Sequence, residues 1–124
     1  MKIYPVVALL AAVSTGVQAI GCYSGGITFN ELRDNTVDGT ITWFCANMVP
    51  YNVPSYTNFA RCFRFGSNNM FMSISNKDNY DKRFTYEECV AAFRREQGGC
   101  SHGSEQWALG IFIRIDPNDG ACSI

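Results

Sequence analysis

The sequence contains a single histidine, His102, and no pair of cysteines in a C-x-x-C spacing. Acid-base catalysis near neutral pH usually needs a second histidine or a poised carboxylate beside an arginine. Redox and zinc sites usually carry the C-x-x-C spacing. We therefore expect no catalytic activity, no metal and no other cofactor, and we expect the cysteines to be structural.

Other absences narrow the class of protein further. There is no N-x-[ST] sequon, so we expect no N-linked sugar on the chain. The apolar run at residues 6–13 is far shorter than the roughly 20 residues that a membrane-spanning helix needs, and no later run is longer. The 10 basic and 11 acidic residues are scattered without a charge block. We therefore expect no nucleic-acid partner and no membrane insertion, and we expect no binding to a membrane surface through a basic segment.

An export signal is recognisable at the N-terminus. Lys2 precedes the apolar run, and small residues end at Ala19. This pattern predicts a signal peptide over residues 1–19 and a secreted, extracellular domain over residues 20–124. Removing 19 of the 124 residues leaves 105, which is enough for one domain and too few for two ordinary ones.

Six cysteines follow the signal, and an even number in an exported chain indicates three disulfides of about 2 to 4 kcal/mol each. They are Cys22, Cys45, Cys62, Cys89, Cys100 and Cys122. The sequence does not select their pairing, but it disfavours Cys100 with Cys122. The strand predicted over residues 107–115 covers roughly 30 Å, whereas bridged Cα atoms lie within about 7 Å. We expect Cys45 and Cys89 to point from two helices toward a sheet.

Two capping boxes predict the starts of these helices. Thr28 with Glu31 precedes apolar residues at helical intervals, and Thr85 with Glu88 does the same before the second helix. The second helix is the better signalled of the two. Glycine and β-branched residues weaken the first helix, and we expect a break near Asp38.

Extended segments are predicted between and after the helices. Aromatic-rich runs at residues 59–65 and 70–75 flank a polar turn, which is typical of a hairpin. Alternating apolar residues predict a strand over 107–115, with Trp107 on the same face as the isoleucines, and a turn over 116–120. With a short strand near the first cysteine, this order predicts an α+β domain whose helices pack on an antiparallel or mixed sheet.

Several motifs around the cysteines share one pattern. In chain order they are the first cysteine followed by residues 24–26, the helix end at Phe44 and Cys45, the helix with Glu88 and Cys89 that closes in residues 98–103, and the run from Trp107 to residues 116–122. This pattern spans nearly the whole mature chain. It resembles a family of small secreted fungal proteins that includes a mushroom glycan-binding protein.

The resemblance implies an αβα-sandwich domain that is often dimeric, with a sheet continued across the subunits. It also implies binding to sugars without catalysis. The chain departs from the pattern at two places: His102 is followed by a single glycine, Gly103, and Arg114 stands where a smaller residue is usual. Both departures fall in the most specific motif, so the sugar preference does not transfer.

A lectin site generally combines an exposed aromatic ring with amide or carboxylate groups that bind paired hydroxyls. The candidates for glycan binding are Trp107, His102, Tyr51, Tyr56 and Asn118. Each has an ordinary alternative, since tryptophan is mostly buried in a core, asparagine often serves turn geometry and a lone histidine is usually a loop residue. We expect glycans or glycoproteins as partners, and a homodimer is implied by the resemblance.

Two other functions stay open. A small secreted ribonuclease would need His102, Glu105 and Arg114 to converge. Glycoside hydrolysis lacks a suitable pair, because Glu87 and Glu88 are adjacent on a helix and point about 100° apart. The other alternative, which ranks ahead of the ribonuclease, is a secreted toxin or effector that has the same disulfide frame and acts on a protein partner.

Overall fold

The computed structural model describes residues 21–32 and 34–123. The signal peptide predicted over residues 1–19 lies outside these residues. Within the described ranges, no helix combines the length and the apolar character needed to cross a membrane.

The described chain alternates short helices and strands. In chain order these are β1 (Gly21–Cys22), a 3-10 turn (Phe29–Leu32), α1 (Asp34–Asn47), β2 (Asn52–Val53), β3 (Thr57–Phe65), β4 (Asn68–Asn76), β5 (Lys82–Arg83), α2 (Tyr86–Gly99), β6 (Ser104–Ala108) and β7 (Ile111–Asn118). The hairpin predicted from residues 59–65 and 70–75 is confirmed as β3 and β4.

Five strands form one antiparallel sheet in the order β1-β6-β7-β4-β3, while β2 pairs only with β5. Side chains alternate between the two faces of such a sheet. The inner face is apolar and buried, and it includes Met70, Met72, Ile74, Ile111, Ile113 and Ile115. The outer face is formed by the residues between them, and it includes Phe71, Ser73, Ser75, Trp107, Phe112, Arg114, Asp116 and Asn118.

Both helices pack on the inner face. Phe44 of α1 contacts Phe93 of α2 and Phe63 of β3 edge-on, with ring centroids 5.7 and 6.2 Å apart. The described residues therefore form two layers, and they place no helix on the outer face. This arrangement confirms the α+β class, the antiparallel sheet and the three disulfides, while a third layer is not among the described residues.

The first helix begins later than its capping signal. The backbone N–H of Thr28 donates to the carboxylate of Glu31 at 2.8 Å, but the turn that follows is a 3-10 turn. The helix itself begins at Asp34 and passes through Asp38, so the break expected near Asp38 is wrong. Asp38 instead forms an ion pair with Arg94 of α2, with Nε 2.7 Å from Oδ1. This contact helps to hold α1 against α2 despite its weak helix formers.

The second helix begins as predicted. The hydroxyl of Thr85 accepts from the N–H of Glu88 at 3.1 Å, and the Glu88 carboxylate accepts from the N–H of Thr85 at 2.9 Å. Toward the end of α2, the buried Glu96 accepts from the Ser104 hydroxyl and from Arg95, each at 2.9 Å. These bonds satisfy a carboxylate that would otherwise be costly to bury.

The single strand predicted over residues 107–115 is wrong, because β6 and β7 form a hairpin. Leu109 and Gly110 make the turn between them, with φ of 52° and 82°. Trp107 pairs with Phe112 and so lies on the outer face, away from the isoleucines. Turns with two positive φ values favour Asn-Gly or Asp-Gly. Because a leucine occupies the first position here, the sequence does not predict this turn.

The turn predicted over residues 116–120 is wrong in its first part. Strand β7 continues to Asn118, and Pro117 still pairs with Met70. Asp, Pro and Asn are typical turn residues, but cross-strand pairing to β4 prevails over their local preference. The chain turns only afterwards, at Gly120, where φ is 86°.

The three disulfides pair Cys22 with Cys100, Cys45 with Cys89, and Cys62 with Cys122. The exclusion of a Cys100–Cys122 pair is therefore confirmed, although the strand on which it relied is a hairpin. Cys45 and Cys89 bond to each other and join α1 to α2. They do not point separately toward the sheet.

We predict that Gly103→Ala will destabilise the fold. Gly103 has a φ of 88°, and an added Cβ would lie 2.4 Å from the Ile115 carbonyl oxygen and 2.7 Å from Cδ of Pro117. We expect a loss of about 2 to 5 kcal/mol in the free energy of unfolding, measured by guanidinium denaturation with the disulfides intact. Gly98→Ala is the control, because Gly98 lies in α2 with open space around it. Equal effects of the two substitutions would contradict the prediction.

We predict the opposite effect at Leu109. Leu109 has a left-handed backbone conformation, which costs free energy in a residue other than glycine. Its apolar side chain is also 68% exposed to solvent. Leu109→Asn should raise the free energy of unfolding by about 0.5 to 1 kcal/mol, because asparagine suits this turn position. Leu109→Ala keeps the backbone strain and should give little gain. A destabilised Leu109→Asn variant would refute this explanation of the turn.

A third prediction concerns the ion pair between the helices. The hydrogen bond from Arg94 holds the pKa of Asp38 below its ordinary value of 3.8. The pair therefore stabilises the native state above pH 3.8, and this contribution is lost as the pH falls through the lower native pKa. An NMR titration should show the Asp38 pKa rising in Arg94→Ala. It should not move in Arg95→Ala, because Arg95 contacts Glu96 instead.

Candidate functional site

The outer face of the sheet is polar and aromatic, in contrast to the inner face. Along β7, the residues Phe112, Arg114, Asp116 and Asn118 alternate with buried neighbours and so point outward. No helix of the described part of the chain covers them.

Arg114 organises one end of this face. Its Nη2 lies 3.1 Å from Oδ2 of Asp116, and its guanidinium carbon lies 4.9 Å from the centroid of the Phe71 ring. Its Nε is buried, and among the described residues no group accepts a hydrogen bond from it. A buried N–H without an acceptor is unfavourable. The Arg114 side chain as a whole is 43% exposed, so a ligand can reach the guanidinium without reaching this buried Nε–H.

The charges around Arg114 determine the protonation states of Arg114 and Tyr23, and so which of their groups can donate a hydrogen bond. Burial opposes its charge, but the hydrogen bond to Asp116 and the nearby Tyr23, Asp116 and Glu105 outweigh burial, so the pKa of Arg114 is raised. Burial is also the main reason that the pKa of Tyr23 is raised, and Glu105 and Asp116 add to this effect against the charge of Arg114. Arg114 thus stays charged, and the Tyr23 phenol stays protonated at neutral pH.

A depression of about 370 Å³ opens beside Arg114 on the outer face. The C-terminal segment forms one wall, because the Cys62–Cys122 disulfide anchors it and the Asn69 amide donates to the Gly120 carbonyl at 2.8 Å. Its lining combines donors, acceptors and an aromatic ring, supplied by Asn69, Phe71, Arg114, Asp116, Asn118 and Asp119. Asn118 is one of the five candidates from the sequence.

An aromatic cluster lies at the other end of the same face. Trp107 is 42% exposed and contacts Phe112 with ring centroids 5.1 Å apart. The ammonium of Lys77 lies 5.0 Å from the centroid of the Phe112 ring. Trp107 is therefore a supported, partly exposed ring rather than a core residue.

A third region, at the edge of the sheet where β3 begins, carries exposed tyrosines. The loop with Tyr51 and Tyr56 lies beside the loop with Tyr80, because the buried Asn76 amide donates to the carbonyls of Val53 and Tyr80 at 3.0 and 2.8 Å. All three tyrosines are exposed, and Tyr56 has a φ of 54°, which is uncommon for a residue other than glycine.

Lys82 ties the same region to the β6–β7 turn. Its ammonium pairs with Asp78 and donates to the Gly110 carbonyl at 2.7 Å, while the N–H of Tyr56 donates to the Asp78 carbonyl at 3.2 Å. The exposed Leu109 lies next to Gly110 in this turn. We call the group formed by Tyr51, Tyr56, Tyr80 and Leu109 the tyrosine end.

His102 lies apart from these three regions. Its Nδ1 is 3.1 Å from the carbonyl oxygen of Gly26. Glu105 and Arg114 are direct cross-strand neighbours, so two of the three residues in the ribonuclease hypothesis do meet. Within residues 21–32 and 34–123, no group of three or more His, Cys, Asp or Glu side chains is placed to hold a metal ion.

The five candidates from the sequence therefore do not form one site. Asn118 lines the depression and Trp107 lies on the same face, whereas Tyr51 and Tyr56 belong to the tyrosine end. His102 contacts the Gly26 loop.

Sequence reasoning missed Phe71, Arg114, Asp116 and Asp119 as lining residues. The signal was present, because the alternation that marks β7 continues through Arg114 and Asp116 to Asn118. Ending the predicted strand at residue 115 and assigning residues 116–120 to a turn hid their shared face.

The chain matches no known protein-family model, and none of the curated proteins is similar enough to match it.

Proposed function

We propose that this chain is a secreted glycan-binding protein that acts without catalysis, and that the depression beside Arg114 holds the sugar. The observation that carries the proposal is the combination of an accessible charged donor with neighbouring acceptors. The donor is the Arg114 side chain, which is 43% exposed, and the acceptors are the carboxylates of Asp116 and Asp119. A sugar hydroxyl both donates and accepts, so paired hydroxyls match this arrangement.

The surroundings support the same ligand class. The amide of Asn118 adds a donor and an acceptor, and Phe71 adds apolar surface. The salt bridge fixes Arg114 relative to Asp116, so little side-chain freedom is lost when a ligand binds. Binding needs no proton transfer, and His102 is engaged with a backbone carbonyl rather than with the depression.

The test is a glycan array on the refolded mature protein. We expect a positive signal for the parent protein and a loss of about tenfold in affinity for Asn118→Ala and Asp119→Ala, which corresponds to one lost hydrogen bond of about 1.4 kcal/mol. Asn30→Ala is the matched control, because Asn30 is an exposed asparagine outside the depression. Circular dichroism and thiol titration check that each variant keeps its fold and disulfides.

Two outcomes would overturn the proposal. An array without signal for the folded parent protein would remove its basis. Cleavage of RNA by the purified protein that disappears in His102→Ala would instead favour the ribonuclease alternative.

A specific observation favours a protein partner as the second candidate function. The tyrosine end presents Tyr56 and Leu109, which are 72% and 68% exposed and both have positive φ. Strained backbone is often retained at functional positions, and tyrosine is enriched in protein interfaces. A toxin or effector would bind its protein partner at the tyrosine end. A glycan array without signal would favour this second function.

The homodimer is a further part of the proposal, whereas the αβα sandwich that the resemblance implies competes with the sugar for the outer face. The outer edge of β3 has no strand partner within the described residues, and this supports a sheet that continues into a second subunit. A third layer would have to cover the outer face, where we place the sugar. The dimer that is compatible with the proposed site therefore pairs β3 edges and leaves the outer face open.

A further inference from the structure

Resting on the proposed function, we propose that the ligand is a linear, uncharged oligosaccharide that extends along β7 from the depression to Trp107. The depression would bind one end of the chain, and Trp107 with Phe112 would form a second, aromatic subsite. A single sugar ring would fill only the first of these two subsites.

The register of the sheet determines the distance between the subsites. Asp116 at the depression and Phe112 beside Trp107 lie on the same strand and the same face, four residues apart. At about 3.3 Å per residue, this separation is roughly 13 Å. The span exceeds one pyranose ring, so a ligand that reaches both subsites must contain several linked sugars.

Arg114 is the outward residue of β7 between the two subsites, and serines lie beside it on the neighbouring strand. Ser73 lies opposite Arg114 and Ser75 lies opposite Phe112, and the Ser75 hydroxyl donates a hydrogen bond to Asn58. Ser73 is buried, whereas the Arg114 side chain is 43% exposed. A chain of sugar rings that follows β7 therefore crosses Arg114, whose guanidinium can donate to sugar hydroxyls.

Trp107 is positioned to bind the far end of such a chain. Its contact with Phe112, at a centroid distance of 5.1 Å, orients the indole before any ligand binds. The ammonium of Lys77 lies over the same Phe112 ring and adds a donor for hydroxyls at this end. An exposed ring held by its neighbours loses little freedom on stacking against a sugar.

The charges of this surface favour an uncharged ligand. Lys77, Arg114 and Arg64, which pairs with Asn69 of the depression, are positive, whereas Glu105, Asp116 and Asp119 are negative. The three cations and three carboxylates balance, so a sugar acid would meet repulsion from the carboxylates without a net positive surface to offset it. An uncharged chain meets none, and its hydroxyls can satisfy groups of either sign.

The experiment compares chain lengths and charges by titration calorimetry. The probes are the mono-, di- and tetrasaccharides of the cellulose and chitin series, and a tetrasaccharide of galacturonic acid as the charged chain. We expect at least one uncharged tetrasaccharide to bind about tenfold or more tightly than its disaccharide. The galacturonate should bind more weakly than the uncharged tetrasaccharide that binds more tightly.

Trp107→Ala should remove the length advantage and leave disaccharide binding unchanged. Trp43→Ala is the matched control, because Trp43 is 41% exposed and also packs edge-on against a phenylalanine, Phe63, but lies on α1 away from the outer face. If Trp107→Ala does not fold, fluorescence of Trp43→Phe replaces it. Trp107 is then the only tryptophan, and its emission should change with a tetrasaccharide but not with a disaccharide.

The outcomes separate this inference from the proposed function. Equal affinity for di- and tetrasaccharide, or an unchanged Trp107 emission, would overturn the extended track while leaving sugar binding in the depression intact. Tightest binding of the galacturonate would overturn the uncharged ligand class. Absence of binding to every probe, together with a silent array, would remove the proposed function and this inference with it.

Discussion

One-sided burial of the five-stranded sheet is the constraint on which the rest of the structure depends. Alternation along β4 and β7 puts methionines and isoleucines on one face, and both helices cover that face. The Cys45–Cys89 disulfide and the Phe44–Phe93 contact hold the helices to each other. Because the helices share one side, the polar face is left without a helical cover among the described residues.

The other two disulfides shape what that open face becomes. Cys62–Cys122 draws the C-terminal segment over the end of the β3–β4 hairpin, where Asn69 binds the Gly120 carbonyl, and the segment becomes a wall of the depression. Cys22–Cys100 secures the short strand β1 at the far edge, which brings Tyr23 near Arg114. The covalent frame that stabilises the fold thus also constructs the depression.

Local signals predicted the fold where they were strong and misled where tertiary pairing outweighed them. The Thr85–Glu88 capping box located α2, because both of its hydrogen bonds lie within one turn. Leu109 hid the β6–β7 turn, since nothing in a leucine signals a positive φ. The site was only partly predictable for the same reason: Asn118 was identified as a candidate, but the predicted boundary at residue 115 put it in a turn and left Arg114 in a strand.

The strain at the tyrosine end is not explained by sugar binding on the outer face. Leu109 and Tyr56 both have positive φ angles, which strain the backbone, and both have exposed side chains. Neither residue lines the depression. Meanwhile Asn76 and Lys82 satisfy the carbonyls beneath them, so the loops can enter a dry interface without leaving buried polar groups unpaired. A residue that weakens the fold and serves no known contact is the kind that a second partner would retain. The depression and the tyrosine end are therefore separate surfaces, although Leu109 lines one pocket with Trp107, where the proposed sugar track ends. A Leu109→Asn protein with unchanged affinity for a disaccharide would show that binding in the depression does not depend on the strained turn.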